Sequence, residues 1–123
     1  MASILVVDDY LDGCEMLVRL ISRYSGPAEC AESGEEALQI LRSQDPPKLV
    51  FLDWMMPGMS GLEVLRAMRS DPALSTVPVV VFSALADLHV KRLAVDAGAQ
   101  DFIAKGDFEK VEEAVKKYVK YAA

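Results

Sequence analysis

Five polar residues stand where apolar runs end, and their types suggest a common chemistry. Asp8 and Asp9 follow Ile4-Leu5-Val6-Val7, Asp53 follows Leu49-Val50-Phe51-Leu52, Ser83 closes the run reaching Phe82, and Lys105 follows Gln100 to Ala104. Three carboxylates drawn together repel one another, and at least one is pushed toward protonation. A divalent cation relieves that repulsion. Mg²⁺ suits hard oxygen donors, and the set offers no His or Cys for a softer metal. The Lys105 ammonium and the Ser83 hydroxyl fit an anion beside that cation, and phosphate is the natural candidate. No glycine-rich cradle or Walker lysine is present, which argues against a nucleotide. A phosphoryl group carried covalently on a carboxylate fits better, because carboxylates act as nucleophiles toward phosphorus.

Composition narrows the setting. A chain of 123 residues is one domain of ordinary size, 1–123, with 52% hydrophobic and 26% charged residues. Thirteen basic residues against nineteen acidic ones leave a net charge of −6, which argues against a nucleic-acid groove. No apolar run approaches the roughly 20 residues that span a bilayer, so no membrane insertion is expected. Met1-Ala2-Ser3 carries no basic prefix of a secretory signal. Cys14 and Cys30 form no CxxC. They are read as two free thiols packing as small hydrophobes in a reducing, cytoplasmic compartment.

The elements that must position these residues alternate. Ile4–Val7 and Leu49–Leu52 are continuous apolar runs of the kind covered on both faces. Leu11, Cys14, Leu17, Val18, Ile21 and Tyr24 recur at helical spacing until Gly26-Pro27. A short strand is expected over 28–31. Ser33 with Glu36, and Ser60 with Glu63, have capping-box spacing ahead of two further helices. The first carries Ala37, Leu38 and Leu41, and the second Leu62, Leu65 and Met68. Residues 77–82 read as a strand with Pro78 near its start, 86–97 as a helix stopped by Gly98, and 100–104 as a weaker strand. The last helix, 107–121, is expected to bury Phe108, Val111, Val115, Tyr118 and Val119. Five βα units in succession predict an α/β fold, a doubly wound five-stranded parallel sheet with helices on both faces. Right-handed crossovers favour strand order 2-1-3-4-5. In such a sheet ligands bind at the carboxyl ends of the strands, where the five polar residues fall.

These residues resemble the receiver domain of two-component response regulators, over essentially the whole chain. Asp53-Trp54-Met55-Met56-Pro57-Gly58-Met59-Ser60-Gly61 matches the family's D-x-x-M-P-x-x-x-G. Asp8-Asp9, Ser83-Ala84 and Lys105 match its acidic pair, its Thr/Ser-Ala pair and its lysine, in the family's order and spacing. The resemblance implies the flavodoxin-like fold and a phosphorelay role. Asp53 would accept a phosphoryl group from a sensor histidine kinase or histidine phosphotransfer protein. Asp9, Asp53 and the backbone carbonyl of Met55 would bind Mg²⁺, with Asp8 holding a metal-bound water. Ser83 and Lys105 would contact the phosphoryl oxygens, and Phe102 stands at the switch-aromatic position. The output would be a changed surface on the fourth helix, fifth strand and fifth helix, read by a downstream protein target. Such a domain is a signalling switch that assists only its own phosphorylation and dephosphorylation. The family usually has Lys-Pro at the fifth strand end, and here Lys105-Gly106-Asp107 stands instead. That loop is expected to be more mobile, and Asp107 to compete with phosphate for Lys105.

Blander readings exist for each residue. Asp9 alone would be an N-cap, Ser83 a local backbone cap, Lys105 a solvated lysine and Phe102 a plain core residue. Order and register together favour the site. Trp54 is read as exposed, a partner contact or a fluorescence reporter. His89 is read as a helix-surface residue, and Met55, Met56 and Met59 as loop packing. The lysines and glutamates of the last helix are read first as a solvated face. A phosphorylation-independent interaction module is the alternative function. A flavin carrier and an aspartyl-phosphate hydrolase fit less well: two aspartates follow the first strand, and Met55 stands where D-x-D needs an acid.

Overall fold

The computed structural model describes residues 3–84 and 87–119. Five βα units follow one another: β1 (Ile4–Val7), α1 (Leu11–Ser25), β2 (Ala28–Ala31), α2 (Gly34–Ser43), β3 (Leu49–Leu52), α3 (Gly61–Ser70), β4 (Val79–Ser83), α4 (Leu88–Asp96), β5 (Asp101–Ala104) and α5 (Phe108–Tyr118). All neighbouring strands pair in parallel, in the order β2-β1-β3-β4-β5. None of the described helices is long and apolar enough to cross a membrane.

The central strands β1, β3 and β4 are apolar up to the terminal Ser83 because both sheet faces are covered there, whereas the edge strands β2 and β5 carry Glu29 and Asp101. Alternate residues serve opposite cores. Leu5, Val7, Val50, Leu52, Val79 and Val81 pack with Leu38, Leu41, Leu65 and Met68 of α2 and α3. Ile4, Val6, Leu49, Phe51, Val80 and Phe82 pack with Leu17 and Ile21 of α1 and Val111 and Val115 of α5. Truncating a side chain as enclosed as Phe51 costs about 3–5 kcal/mol.

Local signals mark the helix ends. Ser60 and Glu63 form the complete reciprocal box, and Ser33 accepts the Glu36 amide at 3.1 Å. Gly26 and Gly98 follow α1 and α4 with φ of 77° and 110°. β4 begins one residue after Pro78, which has no N–H to offer a ladder. The expected start of the fourth helix at Ala86 and the last residues of the fifth lie outside the described residues, and Asp87 caps α4 by accepting from Val90 at 2.8 Å.

Three expectations are corrected. Cys14 and Cys30 are joined as a disulfide rather than left as thiols. α1 packs over β2, which brings their Cα atoms to 6.0 Å, within bridging range. The inference of a reducing compartment rested on free thiols and loses that support. Phe108, the first residue of α5, is exposed beside α1, while Val111 and Val115 of the same helix are buried. Trp54 is buried to 7% exposure, folded back under the loop into the core of the α2–α3 side.

Candidate functional site at the carboxyl edge of the sheet

Ladder hydrogen bonds continue just past the strand ends and set the site residues in register. The Asp8 amide donates to the Ala31 carbonyl (3.0 Å), the Asp53 amide to Val7 (2.9 Å) and the Lys105 amide to Ser83 (2.9 Å). β1, β3, β4 and β5 therefore deliver their terminal polar residues to one rim. β2 lies at the sheet's edge, and Glu32 after it is not part of the acidic cluster.

Asp8, Asp9 and Asp53 converge there, each offering a carboxylate oxygen within 4.8 Å of the others. Asp8 and Asp53 are buried and Asp9 is exposed. Asp9 is not the cap of α1: that position is Tyr10, with no side-chain cap. The Lys105 ammonium spans two of the acids, 2.9 Å from Asp8 Oδ2 and 3.3 Å from Asp53 Oδ2. Two backbone amides complete the restraint. Tyr10 donates to Asp8 Oδ1 (3.0 Å) and Met55 to Asp53 Oδ1 (3.4 Å). Both are two-residue Asx contacts, a signal present in the sequence as Asp-x-x but weak until the acid is known to be buried. Ser83 is fully buried at the end of β4, paired with Ala104 of β5 in the ladder.

The electrostatics follow from burial. Desolvation, and secondly the charge of Asp8, push the Asp53 carboxyl up to about 6, against the pull of Lys105 and the Met55 amide. This is the carboxylate driven toward protonation that the sequence anticipates. Burial works against the charge on Lys105, but its hydrogen bond to Asp8 and the charges of Asp53 and Asp8 outweigh it and raise its pKa above the ordinary lysine value.

The remaining sequence candidates fall as follows. Phe102 is half-buried on β5 and packs against the core of the α2–α4 side. Met56 is buried and Met59 packs against the same core, as loop packing requires, whereas Met55 is exposed and does not pack. His89 is exposed on α4. Asp107 does not approach Lys105 as a competitor. It is the cap of α5, and its carboxylate accepts the Lys110 amide at 3.2 Å. Two contributions were not anticipated. Gly61 lets α3 lie directly against the backbone of Asp53 and Trp54. Tyr10, Met16, Phe82 and Phe108 line a depression of about 320 Å³ beside Asp8 and Lys105. These residues are far apart in sequence, and only the meeting of α1 with the β5–α5 loop assembles them.

The donor set fits a hard divalent cation: carboxylate oxygens only, one of them exposed and reachable from solvent.

Comparisons agree with this arrangement. The sequence matches the family described as the response regulator receiver domain over residues 4–116. It is 40% identical over 102 residues to the response regulator MprA of Mycolicibacterium vanbaalenii, covering 83% of this chain and 43% of that protein. The chain thus spans less than half the length of this relative. Among solved structures, a response regulator receiver protein from Pseudomonas putida superposes with a TM-score of 0.85 at 30% identity, covering 93% of this chain and 94% of that one. The phosphorylated cyanobacterial phytochrome response regulator RcpA superposes with a TM-score of 0.84 at 26% identity, covering 98% and 95%. With fold, acidic rim and sequence match in agreement, the chain belongs to the receiver domains of response regulators, the signalling modules of two-component systems.

Proposed function

We propose that Asp53 is a phosphoryl acceptor and that its loading is Mg²⁺-dependent. The observation that carries this reading is the gathering of three carboxylates around Asp53 with the Lys105 ammonium against two of them. An Asp53 oxygen attacks the phosphorus of a phosphohistidine on a sensor kinase or histidine phosphotransfer protein. The P–N bond breaks, its electron pair leaves with the imidazole nitrogen, and an acyl phosphate remains on Asp53. Lys105 and Ser83 hold the phosphoryl oxygens. Asp8, Asp9, Asp53 and the Met55 carbonyl would hold the Mg²⁺, which neutralises charge on the transferring group. The phosphorylated state of RcpA, which shares this fold, supports the assignment.

Transfer adds about two negative charges to a rim where Asp53 already resists ionisation. The added charge biases the packing of Ser83 and Phe102 and thereby the face formed by α4, β5 and α5. On that face Lys91, Phe102, Lys110, Glu113 and Lys117 border a depression of about 230 Å³, a surface of mixed charge for a protein target. The reading carries with it a cytoplasmic location, where histidine kinases are charged. The alternative, a module that never takes up phosphate, drew on Gly106, but Lys105 still reaches Asp53.

Incubation with Mg²⁺ and acetyl phosphate tests the proposal. The expected product is an acid-stable, base-labile adduct 80 Da heavier, absent from Asp53→Asn. Equal labelling of Asp53→Asn would refute it.

A further inference from the structure

The turn after β5 requires a residue that tolerates positive φ. The Asp107 amide donates to the Ala104 carbonyl at 3.1 Å, closing a four-residue turn over Ala104-Lys105-Gly106-Asp107. Gly106 has φ of 97°, and among the described residues only glycines have positive φ. Lys105 is therefore at negative φ and Gly106 at positive φ, the type II pattern, in which the third residue must tolerate the left-handed side.

We propose that Gly106 is a positioning residue for Lys105, holding its ammonium on Asp8 and Asp53 through this turn. The inference rests on the reading of Asp53 as phosphoryl acceptor with Lys105 as its cationic partner. On one side, Lys105 is tied to the sheet by its amide on Ser83 (2.9 Å). On the other, the chain must leave β5 and enter α5 within three residues, Lys105, Gly106 and Asp107. The Phe108 amide closes on the Gly106 carbonyl (3.0 Å), and Asp107 is spent capping Lys110. Gly106 thus aims the lysine and keeps the Asp107 carboxylate off it. A Cβ at position 106 meets nothing within 4 Å. Any penalty for an L-residue there comes from backbone conformation alone, not crowding. A proline, confined near φ −65°, cannot form this turn.

Because the penalty is purely one of chirality, D-alanine separates the causes. Ligating a synthetic segment that carries D-alanine at 106 to the expressed preceding residues gives residues 1–123 with that single change. With Mg²⁺ and acetyl phosphate, Gly106→Ala should label about tenfold more slowly than the parent, and the D-alanine protein at about the parent rate. Adding Gly106→Ala to Lys105→Met should slow labelling no further. Acetic anhydride footprinting supplies a second readout: Lys105 should be acetylated faster in Gly106→Ala than in the parent or the D-alanine protein. Parent-like labelling of Gly106→Ala, equal loss with L- and D-alanine, or a further tenfold loss in the double variant would overturn the inference. If the parent itself does not label, the assignment of Asp53 fails, and the footprinting contrast still decides the role of Gly106.

Discussion

Gly61 lies flush against Asp53: a Cβ on Gly61 would run into the Asp53 carbonyl oxygen and come within 2.8 Å of the Trp54 Cα. The Gly61 amide also donates to the Trp54 carbonyl at 3.1 Å. The start of α3 is therefore packed onto the backbone that carries the candidate acceptor. Gly61→Ala must push the two apart. It should cost about 1–3 kcal/mol in denaturant unfolding and slow acetyl phosphate labelling of Asp53. Full stability and full labelling in that variant would show that the loop yields easily.

The raised pKa of Asp53 has a stability signature with a definite sign. Its folded value, about 6, lies above the ordinary 3.8, so between those values the folded state binds more protons than the unfolded one. Stability from this group falls as pH rises through that window, and the full cost is present above about 6. Asp53→Asn removes the cost while Lys105 keeps Asp8. The variant should be more stable than the parent near neutral pH by on the order of 2 kcal/mol, and the gain should vanish below pH 3.8. Denaturant midpoints at several pH values measure both features.

A divalent cation bound as proposed would compete with the Lys105 ammonium for the carboxylates of Asp8 and Asp53. Lys105→Met should therefore tighten Mg²⁺ binding by about tenfold, even as it impairs phosphoryl loading. Asp9→Asn should weaken Mg²⁺ binding. Calorimetric titration gives both affinities, and the buried Trp54, next in sequence to Asp53, offers a fluorescence readout of the same event.

The Cys14–Cys30 link closes a loop of sequence separation 16 between α1 and β2. A bridge of that span contributes about 3 kcal/mol by restricting the unfolded chain. Reduction, or Cys30→Ser, should lower the unfolding midpoint accordingly. The purified protein should be 2 Da lighter without reductant than with it, one hydrogen lost from each sulfur. Identical masses under the two conditions would refute the link.

The order of strands and helices was legible in the sequence because it rests on local physics: apolar runs for covered strands, 3.6-residue periodicity for helices, and Ser, Asp and Gly at their ends. The acidic rim was legible for a related reason. In a parallel sheet every strand's carboxyl end points the same way, so a polar residue after each apolar run is already assigned to one edge. Asp8, Asp9, Asp53, Ser83 and Lys105 needed only their chain positions to be grouped.

What tertiary structure alone decided are matters of distance and enclosure. Cys14 and Cys30 carry no pairing motif, and their union depends on how α1 lies over β2. Trp54 and Phe108 have similar hydrophobicity, yet one is enclosed by the core and the other is exposed beside α1. Asp107 reads as a rival for Lys105 until the turn at Gly106 commits it to capping α5. Sequence determines which elements form and which residues they carry to the rim, because those choices are made within a few residues. The partner a side chain finds depends on contacts between segments far apart in the chain, and only the packed fold sets them.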